Sequence, residues 1–467
     1  MRRFLSMVAM AAMIAPAVRA DVIPVDKINA DNINKFGGLM YEYVAPDVDY
    51  TPAPKGFKPF YLSHYGRHGS RYMLNTSQYE RPYNILKDAY DKGVLTEFGK
   101  TVLDRVEIMK DDAAGRLGDL TPKGMRQHKG ITRRMMENYP KLFGKNGSIV
   151  ARSTGSHRVI VSMLSGLSEI YREYPDMQIT YDAGDHDVNY LNKEDGAVSS
   201  FKNSREKSAA VNEFNDRHTH PERLMTVLFT DTTFITRYEM KTEVRMFPGM
   251  GGTPSAQRQY NVRVMDASAT LYNDLYDMAA NMQSHDLGID LNDVFTYQEW
   301  YDSFLMNNLY WYTQSAFSPL TGDVVPYGRC ALLQNFIDCA DAAIAGNGVT
   351  LDLRYGHDTQ LFPFVCLMDI NDCGWSVSDY EKVADKWVEY DIVHMGSNIQ
   401  WIFYRNKDGK VLVKFLMNEE EATIPIPSYT DAKGKTYKYY YDWDAVKEFY
   451  LAKIAWFDNF KQEQSKN

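Results

Sequence analysis

Cysteine is scarce in this 467-residue chain and absent before Cys330; Cys330, Cys339, Cys366 and Cys373 complete the set. Their spacing excludes a zinc ribbon, and four thiols admit three pairings, so one or two disulfides are expected with no connectivity assigned. Positive charge is also in deficit. Against 61 acids stand 52 lysines and arginines, a net charge of −9, which excludes the electropositive surface that a nucleic-acid partner requires. A local basic pocket remains compatible with overall acidity, because fields in a cleft are local. No internal apolar run approaches the ~20 residues that span a bilayer, and no repeat or low-complexity tract appears. With 44% hydrophobic and 24% charged residues the chain has the composition of an ordered globular protein.

The first twenty residues stand apart. Arg2 and Arg3 precede an apolar stretch from Phe4 to Val18, and "VRA" before Asp21 supplies the small residues of a cleavage site. Residues 1–20 are therefore expected to be a signal peptide, and the protein to be periplasmic or secreted. Losing Arg2, Arg3 and Arg19 and no acid would move the net charge to −12. No cysteine follows that could carry a lipid.

Short strand patterns lie towards both ends. "FYLSHY" reads as a strand ending at Gly66, "GSIVARSTG" as a second, and "GVTLDLRYGHD" as a third from Val349 to Arg354. "NIQWIFYRNKDGKVLVKFLMNE" reads as a hairpin. In "TPKGMRQHKGITRRMMENY" Thr121 is placed to cap a helix that has Pro122 in its first position. "SHRVIVSMLSGLSEIYREY" and "TQLFPFVCLM" read as further helices, and residues from about Asp182 to Asn347 follow a mainly helical period. The expected fold class is α/β: a sandwich core built from both termini, residues 21–180 and 345–467, with a mainly α-helical cap inserted at 181–344. Charged residues stand at three strand-to-turn junctions, "GRHGSR", "RSTGSHR" and "GHD", where ligands of α/β sheets collect.

The first junction places His68 between Arg67 and Arg71, bracketed by Gly66 and Gly69, which are read as the residues that let the chain turn sharply. Guanidinium groups keep their charge and offer planar forks to oxyanions. His68 is the nucleophile or base inside the fork.

Arg67, His68, Gly69, Ser70 and Arg71 fill the motif R-H-G-x-R, and here the chain resembles the histidine acid phosphatases, in particular their phytase and multiple inositol polyphosphate phosphatase branch. "LTPKGMRQH", "VARSTGSHRVIVS", "GHDTQLFPFVCLM", "GSNIQWIFYRN" and "VKFLMNEE" resemble further family segments in the family order, from about Tyr61 to Glu420. The resemblance implies that His68 accepts the phosphoryl group as phosphohistidine. Arg67, Arg71, Arg158 and His357 would grip its oxygens, and Asp358 would act as general acid and then as base. It implies a phosphomonoesterase with a small phosphorylated substrate and no cofactor or metal, since three guanidiniums supply the charge stabilisation. Tyr72 and the "GHDTQLFPFVCLM" segment are similar to the inositol polyphosphate branch. His357, Asp358 and Thr359 stand where that branch commonly has H-A-E and instead match the phytase and general acid phosphatase pattern; Met73 stands where many members carry Pro. A general acid or sugar phosphatase is the alternative, and a non-catalytic phospholigand-binding protein a more distant one. Oligomeric state is not read from the sequence.

A carboxyl beside several arginines should have a depressed pKa, yet a general acid must carry a proton, so an acidic optimum or a good leaving group is expected. His68 must present one bare nitrogen, which a backbone carbonyl accepting from the other would secure. Ser70 is a further candidate for substrate contact; Arg152 could also face the pocket, but is expected to hold the loop by ion pairing. His64 is expected in the core or behind the site, and His157 pointing elsewhere. Asp182, Asp185, His186 and Asp187 read as a polar turn rather than a metal site. "KNSREKS" and "RHTHPER" read as solvated faces that could also supply cations to a highly charged substrate. "YKYYYDW" reads as core.

Overall fold

The computed structural model describes residues 22–246 and 257–466; the expected signal segment lies outside them. Its centre is an eight-stranded sheet. The strands are β1 (Lys58–Arg67), β2 (Ser148–Ser153), β3 (Gln178–Asp182), β6 (Leu351–Gly356), β7 (Asn398–Arg405) and β8 (Val411–Met417), with Glu420–Ala422 and Tyr441–Asp442 pairing on β8; β4 (Tyr238–Met246) and β5 (Gln257–Met265) form a separate antiparallel pair. Across the sheet the order runs β8, β7, β1, β6, β2, β3, with β1, β6, β2 and β3 mutually parallel and β7 and β8 antiparallel to their neighbours. Seven longer helices matter here: α1 (Pro122–Asn138), α2 (His157–Glu173), α3 (Ser268–Met282), α4 (Tyr297–Ser315), α5 (Cys330–Ile344), α6 (Asp358–Met368) and α7 (Trp443–Gln464).

Strand β1 is buried on both faces, because side chains alternate across a sheet that helices cover on each side. Tyr61 and Tyr65 enter one core with Trp401 and Phe403 of β7 and with α5, α6 and α7. Leu62 enters the other with Leu351 and Leu353 of β6 and with Val159, Met163 and Leu167 of α2. The α/β sandwich expected from the sequence is thus present. Tyr440, Tyr441 and Trp443 of the tyrosine-rich segment are buried in these cores.

A third core joins residues from Tyr72 to Ala113 with residues from Leu224 to Phe304 and the start of the described chain. Helix α5, at the end of the 181–344 segment, packs instead with the sheet. The β4–β5 pair was not expected in the helical middle, although "YEMKTEVRM" does alternate apolar and polar residues. The expected disulfides are not formed among the described residues. Cys330 and Cys339 stand nine positions apart on α5, about 13 Å along its axis and beyond the reach of a bridge. No described helix is long and apolar enough to cross a membrane.

Parallel pairing sets the site. Arg67 lies opposite Gly356, and Ser153 lies opposite Tyr355. The carboxyl ends of β1, β2 and β6 therefore stop side by side, and each sends its next residues into the same crevice.

Candidate active site

The backbone of the first motif is pinned from both sides. The N–H of His68 donates to the Gly356 carbonyl at 3.0 Å, the N–H of Arg67 to Ser397 at 2.8 Å, and the His68 carbonyl accepts from Gly396 at 3.0 Å. Beyond His68 the loop rests on the start of α1. Thr121 caps that helix by accepting from the Gly124 N–H at 3.2 Å, and its own N–H and hydroxyl both donate to the Ser70 carbonyl. A Cβ on Gly69 would lie 2.6 Å from the Gly124 carbonyl oxygen, and one on Gly124 would lie 2.3 Å from the Ser70 carbonyl oxygen. Gly69 is needed for this close approach of two backbones; neither Gly66 nor Gly69 has the positive φ that the sharp-turn reading supposed.

His68 is almost wholly buried, and its Nδ1 lies 2.9 Å from the Gly69 carbonyl oxygen. A carbonyl can only accept, so Nδ1 carries the hydrogen and Nε2 presents its lone pair. Burial, followed by the charges of Arg67, Arg71, Arg158 and by His357, holds the ring's pKa well below the usual range, so the ring is neutral. Arg67 and Arg71 are buried and Arg158 partly so. Burial lowers the pKa of all three, that of Arg71 to about 10, which leaves each charged near neutrality. The Nε–H group of each finds no acceptor among the described residues. Buried donors on three cations that converge on one imidazole form an oxyanion cradle.

His357 follows β6. Its Nε2 lies 3.0 Å from the Thr154 hydroxyl, its Nδ1 lies 3.3 Å from Arg158 Nη2, and its ring centroid is 5.7 Å from that of His68. Burial and then Arg158 lower its pKa to about 4. Thr154, at the end of β2, holds this ring; it lies inside "VARSTGSHR", yet the sequence reading gave it no role. Asp358 opens α6, with one carboxyl oxygen 2.8 Å from Arg67 Nη2 and the other accepting from the Thr359 N–H at 2.7 Å. Burial raises its pKa, but Arg67, Arg71 and His357 outweigh that and bring it below the ordinary carboxylate value.

Of the two further candidates for substrate contact, Ser70 is directed elsewhere and Arg152 forms the ion pair expected of it. The Ser70 side chain is buried, and its hydroxyl oxygen accepts from Gln127 Nε2 at 3.0 Å while Gln127 Oε1 accepts from the Ser70 N–H. Serine thus anchors the loop to α1 instead of facing the crevice. Arg152 pairs with Asp187 at 2.9 Å. His64 is buried against Tyr355, and His157 is exposed. Asp182, His186 and Asp187 do cluster within 4.8 Å, closer than a plain turn implies; His186 bridges the two acids and Arg152 engages Asp187.

Residues 66–418 match the histidine phosphatase superfamily, branch 2. The chain belongs to this family. As a branch 2 histidine phosphatase it is a phosphatase enzyme. Among solved structures, the multiple inositol polyphosphate phosphatase of Bifidobacterium longum in complex with inositol hexasulfate has a TM-score of 0.70 at 17% identity, covering 88% of this chain and 97% of that one. The phytase from D. castellii has a TM-score of 0.64 at 16% identity, covering 93% and 88%. At these identities the likeness is one of fold. No curated protein sequence matches.

Proposed function

We propose that this histidine phosphatase is an exported, metal-independent phosphomonoesterase that works through a phosphohistidine at Nε2 of His68, with inositol polyphosphates among its substrates. The observation that carries the reading is the pairing of His68 Nδ1 with the Gly69 carbonyl inside the arginine cradle. It leaves one nitrogen with a lone pair and no proton, beside cations that would hold the phosphoryl oxygens. Nε2 attacks phosphorus as the ester oxygen departs on the far side, and water later attacks the phosphohistidine. Asp358 would supply the proton to the leaving oxygen. Its carboxyl is acidified by Arg67 and Arg71; a bound phosphate dianion offsets those charges, which raises the affinity of Asp358 for a proton when one is required.

Aryl phosphate labelled in its phosphoryl group and an alkaline quench test this. The wild type should retain an acid-labile, base-stable phosphoryl group that His68→Ala lacks; full turnover by His68→Ala would overturn the mechanism. Undiminished activity in a chelator supports metal independence, and a mature N-terminus at Asp21 supports export.

The inositol polyphosphate reading draws on the fold shared with the Bifidobacterium longum enzyme. A second reading, a general acid or sugar phosphatase, is favoured by the ion pairing of the cap cations. Lys202 pairs with Glu194, Arg217 with Glu213 and Glu381, and Arg223 with Glu299, so these cations are engaged rather than offered to substrate. A phosphate-release panel of phytate, sugar phosphates and an aryl phosphate across pH separates the two.

A further inference from the structure

Behind Arg67 lies a second carboxyl that no motif marked. Glu389 opens the short helix Glu389–Ile392 and is 0% exposed. Its backbone N–H donates to Asn308 Oδ1 of α4 at 2.8 Å. The segment Gly38–Leu39 is sandwiched between its carboxyl and Arg67. The Leu39 carbonyl accepts from Arg67 Nη1 at 2.6 Å, while the Leu39 N–H faces Glu389. Gly38 sits at φ +57°, and a Cβ there would lie 1.6 Å from Glu389 Oε1. Chain and carboxyl are thus in direct contact, yet neither oxygen of Glu389 makes a hydrogen bond of normal geometry among the described residues.

An ionised carboxylate so enclosed would be uncompensated, because the cation nearest in charge, Arg67, already turns its Nη2 to Asp358. We infer that Glu389 is a positioning residue of the phosphate cradle: an uncharged acid packed behind Arg67, it leaves the guanidinium's charge to the phosphoryl group and Asp358. Were Glu389 ionised, it would share Arg67 with Asp358 and weaken the hold on any anion. Burial raises its pKa to about 8, with Asp358 pushing the same way and Leu39 and Arg67 opposing. The elements packed around it carry Tyr276, Asn308 and Lys35. Tyr276 of α3, whose hydroxyl donates to the Phe36 carbonyl at 2.6 Å, has its pKa raised well above the usual value by burial; Asn308 of α4 is an amide; and Lys35, on the Gly38 segment, turns to Asp391.

The sign follows from linkage. An anion in the cradle favours protonated Glu389, so affinity is full well below pH 8 and is lost as pH rises through the ionisation of the free protein. Sulfate is a suitable probe because it stays a dianion throughout. Titration calorimetry of the wild type should show sulfate affinity falling by about tenfold or more between pH 7 and pH 9.5, with Glu389→Gln reducing that ratio to under about twofold. A flat wild-type profile over that window overturns the inference without need of any variant, as does an equal fall in Glu389→Gln. The inference rests on reading the cradle as a phosphate site. Absence of sulfate binding at pH 6.5 removes both, whereas binding without pH dependence removes Glu389's role alone.

Discussion

The arginine cradle around His68 and residues 181–344 both contain arginines, and they treat them in opposite ways. In the middle, Arg217, Arg223 and Arg329 each have a carboxylate partner, and Glu194 serves Lys202 and Arg329 together. In the cradle, Arg67, Arg71 and Arg158 share one ionised carboxyl, that of Asp358. Burying charge without a partner costs stability, so such an excess is what a site for an anion would carry. Cations that hold the protein together thus differ from cations left in excess of their acids.

Removing the one shared acid should break the contrast most severely. Asp358→Asn is expected to lower kcat/KM for an alkyl phosphate by roughly 10²–10⁴-fold, and less for an aryl phosphate, whose oxygen leaves without a proton; equal losses on both would remove Asp358 from the acid role. Packing comes next. Gly69→Ala would press a methyl into the Gly124 backbone, where neither chain can yield, and should cost about 1–3 kcal/mol in thermal unfolding together with most of the activity. The smallest effect sharpens the other side. Arg217→Ala cuts two half-exposed pairs, should cost under about 1 kcal/mol, and should leave kcat/KM unchanged.

Much of the cradle was legible in the sequence because its residues stand at strand ends, where spacing, turn chemistry and charge coincide. Arg67, His68, Arg71, Arg158, His357 and Asp358 come together as expected, and the bare nitrogen of His68 is secured by a carbonyl as its chemistry required. Side-chain direction was less accessible. Ser70 lies inside the motif but faces α1, since Gln127, one helical turn inside that helix, can satisfy both its N–H and its hydroxyl. Glu389 escaped notice because its partners, Gly38, Leu39 and Arg67, are distant in sequence. An acid between Val388 and Tyr390, in a run that also holds Trp387 and Ile392, was the available sign that something charged would be enclosed. The β4–β5 pair was hidden by reading a long segment through one period.

The register of β1 against β6 carries a consequence for biosynthesis. Arg67 is fixed by its pairing with Gly356, and the carbonyl of that glycine holds the N–H of His68. The proposed attacking group and proton donor are therefore made at widely separated times on the ribosome. A growing chain that has displayed its arginine and histidine motif still lacks the strand that orients it and the acid that completes it. On the proposed mechanism hydrolytic power would arrive late in synthesis, leaving an incomplete chain inert towards phosphate esters.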